Sequence, residues 1–253
     1  MTAERRRPRS RGRRVVSLAV LTVVGLLVAG VVGIVIWSQV GVMDAEAAAW
    51  DEVRQDDRIA ISDTGGNVVL SPAEGESEIG LVFVPGAKVQ AEAYAAKLSE
   101  LVTEEGMAVV ITRPWLNLAF FDPRPLSAFT DAVPDVDTWL VGGHSLGGVR
   151  ACQLSGDADG LVLFASYCSN DVSDSGLPVL SISGSEDGLS TPEKIRDAAP
   201  LLPADAEFVE VPGAAHASFG DYGPQAGDGT PSIEDADMTA EITASVAGLL
   251  PRL

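Results

Sequence analysis

Histidine and cysteine are scarce in this 253-residue chain, with two of each. No cluster of His, Cys, Asp and Glu has metal-ligand spacing. No lysine-bearing glycine loop would cradle phosphates, and no glycine pattern fits a dinucleotide. Neither a cofactor nor a metal is therefore expected. Positive charge is concentrated at one end. Seven arginines and a single acid, Glu4, fall within the first 14 residues. Subtracting that arm leaves 10 basic and 35 acidic side chains, so the remainder carries −25 within an overall −19. A surface of that sign repels nucleic acid and anionic headgroups, which argues against a nucleic-acid partner. No internal repeat is visible. A hydrophobic content of 46% is enough for one large core.

Charge is missing altogether from Val15 to Val42. At 1.5 Å per residue a helix over this run spans a bilayer core of about 30 Å. Apolar residues occupy every face, which does not suit a helix half-buried in a soluble domain. The arginines place residues 1–14 in the cytoplasm as a basic arm. Residues 15–42 then form a single-pass signal anchor, Trp37 sits at the outer interface, and the rest of the chain lies outside the cell membrane. The competing reading is a signal peptide cleaved near Ala45–Ala49. The apolar run exceeds the usual 7–15 residue signal core, which favours the anchor. Residues 43–57, polar and alanine-rich, read as a linker or short helix before a domain over 58–253.

Within that domain the pattern alternates. Residues 58–62 and 67–71 flank Asp63-Thr64-Gly65-Gly66 as a hairpin. Strands are expected at 79–84, 107–112, 138–142, 160–165, 178–183 and 206–211, the first of them buried. Helical spacing runs from Ala91 to Glu105, with further helices near 126–132, after Ser145, after Thr191 and over 232–250. Thr191 is placed to cap the third of these, with Pro192 at its first position. Strands alternating with helices imply an α/β fold with a doubly wound, mostly parallel sheet. No insertion between the strands at 160–165 and 178–183 is long enough for a large lid.

The most informative stretch is Gly143-His144-Ser145-Leu146-Gly147, a G-x-S-x-G sequence between a strand and a helix. That context defines a nucleophile elbow, with Ser145 on a strained turn whose glycines let strand and helix approach. A serine hydroxyl needs a positioned base. His144 adjoins the nucleophile on a turn that aims neighbouring side chains apart. His216, on a glycine-rich loop after the last strand, is therefore the candidate base. Its orienting carboxylate is expected to be Asp187, directly after a strand and before Gly188, with Glu186 as competitor. Oxyanion donors are expected from Leu146 N–H and from the turn after residues 79–84, at Ala87 or Lys88. Trp115, Phe120 and Phe121 suit an acyl pocket or core packing equally. Phe219, Tyr222, Gln225 and Asp228 either line the mouth of the site or brace the His216 loop, and a segment rich in glycine and turn residues favours bracing. Cys152 and Cys168 allow one disulfide, or burial as free thiols.

These motifs resemble the α/β-hydrolase superfamily, in particular its small, lidless bacterial members related to dienelactone hydrolases. The resemblance runs over roughly residues 58–250. It rests on Val84-Pro85-Gly86, the elbow, Gly184-Ser185-Glu186-Asp187-Gly188 and the loop after His216. It implies the chain order Ser145, Asp187, His216 and a hydrolase acting on a small-molecule ester or acyl compound. Dienelactone hydrolases proper carry cysteine where this chain has Ser145, which weakens a lactone assignment. A different kind of expectation is a catalytically silent module that binds a partner in the cell envelope.

Overall fold

A computed structural model describes residues 11–253, so most of the basic arm lies outside the described residues. The chain divides into two units, Met1–Val40 and Gly41–Leu253. The first contains helix α1 (Arg11–Gln39), in which the most apolar 18 residues of the stretch Val15–Gln39 have a mean hydropathy of 2.9 and none is buried within the protein. It is long and apolar enough to cross a membrane. The helix stops short of the expected Val42, and Gly41, at φ 69°, turns the chain.

The second unit is built on an eight-stranded sheet. Its strands are β1 (Ile59–Thr64), β2 (Asn67–Pro72), β3 (Ile79–Val84), β4 (Ala108–Ile111), β5 (Thr138–His144), β6 (Gly160–Phe164), β7 (Val179–Gly184) and β8 (Glu207–Val211). They lie in the order β1-β2-β4-β3-β5-β6-β7-β8. The β1–β2 hairpin is antiparallel to itself and to β4, and every pairing from β4 through β3 to β8 is parallel.

Alternate side chains of the parallel strands enter two cores, because both faces of the sheet are covered. Leu81, Phe83, Val109, Ile111, Leu140, Val162 and Phe164 point to one face. There α3 (Ala95–Thr103) and α7 (Asp235–Leu249) pack against each other and close the core. Val82, Val110, Val141, Leu161 and Leu163 point to the other face, towards α4 (Ser127–Thr130) and α5 (Leu146–Leu154). Helix α6 (Pro192–Ala198) opens as expected, with Thr191 Oγ1 accepting from Lys194 N–H.

Two connections differ from the simple alternation. Residues 43–57 are part of the compact unit. Helix α2 (Ala47–Gln55) buries Val53 and packs on α3, and the segment before it is hydrogen-bonded into the domain. Between β6 and β7 there is no crossover helix, although parallel neighbours usually need one. The loop is held instead by the Cys152–Cys168 disulfide to α5, by Asn170 Nδ2 donating to Cys152 O, and by Val172 N–H donating to Leu201 O.

Helix α5 packs so closely on the end of β3 that a Cβ on Gly147 would lie 2.0 Å from Val84 O and 2.5 Å from Pro85 O. Backbone cannot yield by that much cheaply. Gly147→Ala is expected to cost about 3 kcal/mol or more and to lower the melting temperature by several degrees. Gly156→Ala, where nothing lies within 4 Å, should leave it unchanged. Equal melting temperatures for the two variants would contradict this packing.

Candidate active site

The strand β5 ends at His144 and α5 begins at Leu146, so Ser145 makes the whole turn. Its backbone sits at φ 52°, ψ −122°, a conformation costly for any residue with a Cβ. Hydrogen bonds hold it there. Ser145 N–H donates to Phe164 O at 3.0 Å, and Ser145 O accepts from Ser166 Oγ at 2.7 Å and Gly148 N–H at 3.0 Å. The side chain is partly exposed at the N-terminus of α5, where free amides favour developing negative charge.

Asp187 and His216 come together from the loops after β7 and β8. His216 Nδ1 lies 2.8 Å from Asp187 Oδ2, with both side chains buried. The other carboxylate oxygen, Oδ1, accepts from Leu189 N–H and Ser190 N–H, each at 2.7 Å. The carboxylate is thus fixed on both edges, and Nδ1 carries the hydrogen. The remaining ring nitrogen, His216 Nε2, is buried and has no hydrogen-bond partner among the described residues. In particular, Ser145 Oγ is not hydrogen-bonded to it. Such bonds in unliganded sites often tighten only when substrate arrives. Glu186, the competing acid, is exposed.

Asp228 clasps the two loops. Its Oδ1 accepts from Gly188, His216 and Gly229 N–H at 3.1, 3.0 and 2.7 Å, and its Oδ2 accepts from Ala217 N–H at 2.8 Å. The bracing expected of this residue is therefore direct. Phe219 braces by stacking on His144, with ring centroids 5.9 Å apart, and Tyr222 Oη donates to Gln225 Oε1 at 3.1 Å.

Sequence reasoning excluded His144 as the base but missed its part in the site. Gly86 N–H donates to Tyr94 Oη at 2.9 Å, and Tyr94 Oη donates to His144 Nδ1 at 2.9 Å. His144 Nε2–H then donates to the backbone carbonyl of His216 at 3.1 Å. A carbonyl can only accept, which fixes the tautomer and the direction of every bond in the chain. This relay joins the loop after β3, the elbow and the His216 loop. Burial, and then the neighbouring His216, hold the His144 imidazole well below its ordinary value, so it stays neutral. Burial likewise pushes the Tyr94 phenol well up.

Of the two amides expected after β3, Lys88 N–H is committed to Asn117 O at 2.8 Å. Ala87 N–H and Leu146 N–H have no hydrogen-bond acceptor among the described residues. Gly86 lets this loop close over the relay, since a Cβ there would lie 2.9 Å from His144 Nδ1. Trp115, Phe120 and Phe121 are exposed, so they are not core residues.

The neutral His144 makes a prediction about pH. Unfolded, this histidine takes up a proton near its ordinary value of 6.5; folded, it does so only at much lower pH. The stability tied to its neutrality is therefore fully present above that value and is lost as pH falls below it. The loss is at most about 1.4 kcal/mol per pH unit for one proton. Denaturant unfolding of the solubilised chain at pH 7.5 and 5.5 should show this slope, and His144→Gln should flatten it. An unchanged slope would remove His144 as its source.

Residues 80–240 match the profile of the alpha/beta hydrolase family. Among curated proteins no sequence match is found. Solved structures with a similar fold include Est1E from Butyrivibrio proteoclasticus. It is 13% identical, with 76% of this chain and 99% of that chain covered and a TM-score of 0.51. A serine hydrolase without a lid from Xanthomonas campestris is 16% identical, covers 75% of this chain and 93% of its own, and has a TM-score of 0.52. Esterase 2 of Thermogutta terrifontis, in a form phosphoramylated by tabun, is 14% identical over 76% and 95% of the two chains, with a TM-score of 0.50.

Proposed function

Because the chain belongs to the alpha/beta hydrolase family, we propose that it is a membrane-anchored, extracytoplasmic serine hydrolase of carboxylic esters or related acyl compounds. The observation that carries this reading is the buried 2.8 Å contact of His216 Nδ1 with Asp187. It leaves Nε2 unpartnered at the loop that His144 ties to the strained Ser145 turn.

In this mechanism Ser145 Oγ attacks the acyl carbonyl while His216 Nε2 takes the hydroxyl proton. Asp187 keeps the imidazole in the right tautomer and stabilises the imidazolium. Leu146 N–H and Ala87 N–H bind the oxyanion. As the tetrahedral adduct collapses, the alcohol leaves with the proton from Nε2. Water, deprotonated by the same nitrogen, then releases the acid and restores Ser145.

Anchoring is supported by the apolar helix and by the chain that follows it. Met43 N–H donates to Lys88 O, Ala45 N–H to Gln90 Oε1 and Glu46 N–H to Asp221 O. Cleavage among Ala45–Ala49 would strip these bonds from the domain. A location outside the cytoplasm is supported by the arginine arm and by the Cys152–Cys168 disulfide, since oxidising compartments favour such bonds.

Two measurements test the reading. Asp187→Asn should lower ester turnover by about 10⁴-fold, as loss of the orienting acid does in triad proteases, while Glu186→Gln stays near wild type. The reverse order would show that the acid is misassigned, and wild-type inactivity toward both a fluorophosphonate probe and an ester panel would favour a silent binding module. Protease added to intact spheroplasts should digest the domain, which should otherwise remain in the membrane fraction after a high-salt wash. A protected domain, or a soluble product starting near Ala48–Trp50, would overturn the topology.

A further inference from the structure

Outside α1, large apolar side chains are seldom exposed. Three of the few that are, Trp115, Phe120 and Phe121, fall within seven residues of one another on the loop after β4. The rings of Phe120 and Phe121 meet edge to face at 5.5 Å, so the pair forms one surface. The loop is held rather than free. Arg124 Nη2 donates to Arg113 O and Arg150 Nη2 donates to Arg124 O, each at 2.9 Å. Residues 119–121 pack on α5, directly behind the Ser145 turn.

Charge around this loop is unlike that of the rest of the domain. Four of the 10 basic residues beyond the arm, Lys88, Arg113, Arg124 and Arg150, cluster here. Arg113 pairs with Asp63 and Glu92, and Arg124 pairs with Asp122. Arg150 has no carboxylate partner among the described residues. With Asp63, Glu92 and Asp122 set against these four cations, the face is near neutral in a unit that is otherwise strongly negative. Aromatic rings beside arginine are the composition of a membrane interface, where rings sit at headgroup depth and long cationic chains reach the phosphates.

The chain between α1 and this face is short. Helix α1 ends at Gln39, and four residues later Met43 is paired with the loop after β3: its N–H donates to Lys88 O at 2.7 Å and its carbonyl accepts from Gln90 N–H at 3.0 Å. Four residues span at most about 14 Å. The aromatic loop is bonded to that same loop through Lys88 N–H and Asn117 O.

From this we infer that the face bearing Trp115, Phe120 and Phe121 docks on the lipid bilayer that α1 crosses. The site then takes its acyl esters from membrane lipids rather than from bulk water. The substrate half of this statement rests on the hydrolase reading above; the docking half rests only on the anchor.

The full chain, reconstituted in vesicles of phosphatidylcholine and phosphatidylglycerol, tests it. Both native cysteines are in the disulfide, so a bimane label goes selectively to Phe120→Cys or, as a control at the start of β8, to Glu207→Cys. Lipid carrying a nitroxide near the headgroup should quench the label at 120 at least about threefold more than at 207, and aqueous iodide should do the opposite. Adding Trp115→Ser and Phe121→Ser should abolish the difference, with an unchanged melting temperature showing that the variant is folded. Equal quenching at the two sites, as expected if the face instead binds an envelope protein, would overturn docking. So would a difference that survives the serine substitutions. Fluorophosphonate labelling of the same vesicles separates the two readings. Lipid quenching without labelling sinks the hydrolase and leaves docking standing. Labelling without lipid quenching sinks docking alone.

Discussion

The close approach of α5 to the end of β3 governs the rest of the site. With no side chain at Gly147, the first turn of α5 rests on the carbonyls of Val84 and Pro85. That contact leaves one residue to reverse the chain between strand and helix, and Ser145 takes the strained conformation. It also puts the loop after β3 beside the helix N-terminus, where the amides of Ala87 and Leu146 have no acceptor among the described residues. The strain at Ser145 is offset by the packed sheet on either side, whose two cores bury alternate residues of the same strands.

Around that turn, polar groups divide the work of holding three loops. The relay from Gly86 through Tyr94 and His144 to His216 O runs in one direction and leaves no buried donor or acceptor of the two rings idle. Two carboxylates have contrasting duties. Asp228 spends itself on four backbone amides and fixes where His216 stands. Asp187 keeps one oxygen for His216 and gives the other to its own turn. One fixes the loop and the other fixes the ring, so moving the first would also misplace the second.

Much of this was legible in the sequence because it is local. The central strands β3 to β7 announced themselves as apolar runs, and Thr191-Pro192 marked the start of α6. Ser145 was identified by its flanking glycines, His216 by the shortage of alternatives, and Asp187 by its place between a strand and Gly188. What stayed hidden depends on contacts across long stretches of chain. Tyr94 and His144 are 50 residues apart, and His144 reaches a carbonyl 72 residues away, so neither leaves a periodic trace. The sequence left Cys152 and Cys168 open between a disulfide and free thiols, because pairing depends on where the helixless β6–β7 loop crosses α5. Residues 43–57 read as either a linker or a short helix, because the few apolar side chains of α2 reveal their packing only once α3 is beside them. The aromatic loop was ambiguous for the same reason: exposure is a property of the neighbours.

The central claim of the proposed function is that Ser145 becomes acylated by a substrate while His216 takes its proton and Asp187 holds the imidazole. The most direct measurement is the intact mass of the chain, acid-quenched during turnover of an activated acyl ester, followed by peptide mapping. The account predicts one acyl group per chain, carried on the peptide containing Ser145, that builds up when Asp187→Asn or His216→Ala slows its hydrolysis. An ester consumed with no adduct on Ser145 under any of these conditions, or an adduct on another side chain, would contradict it.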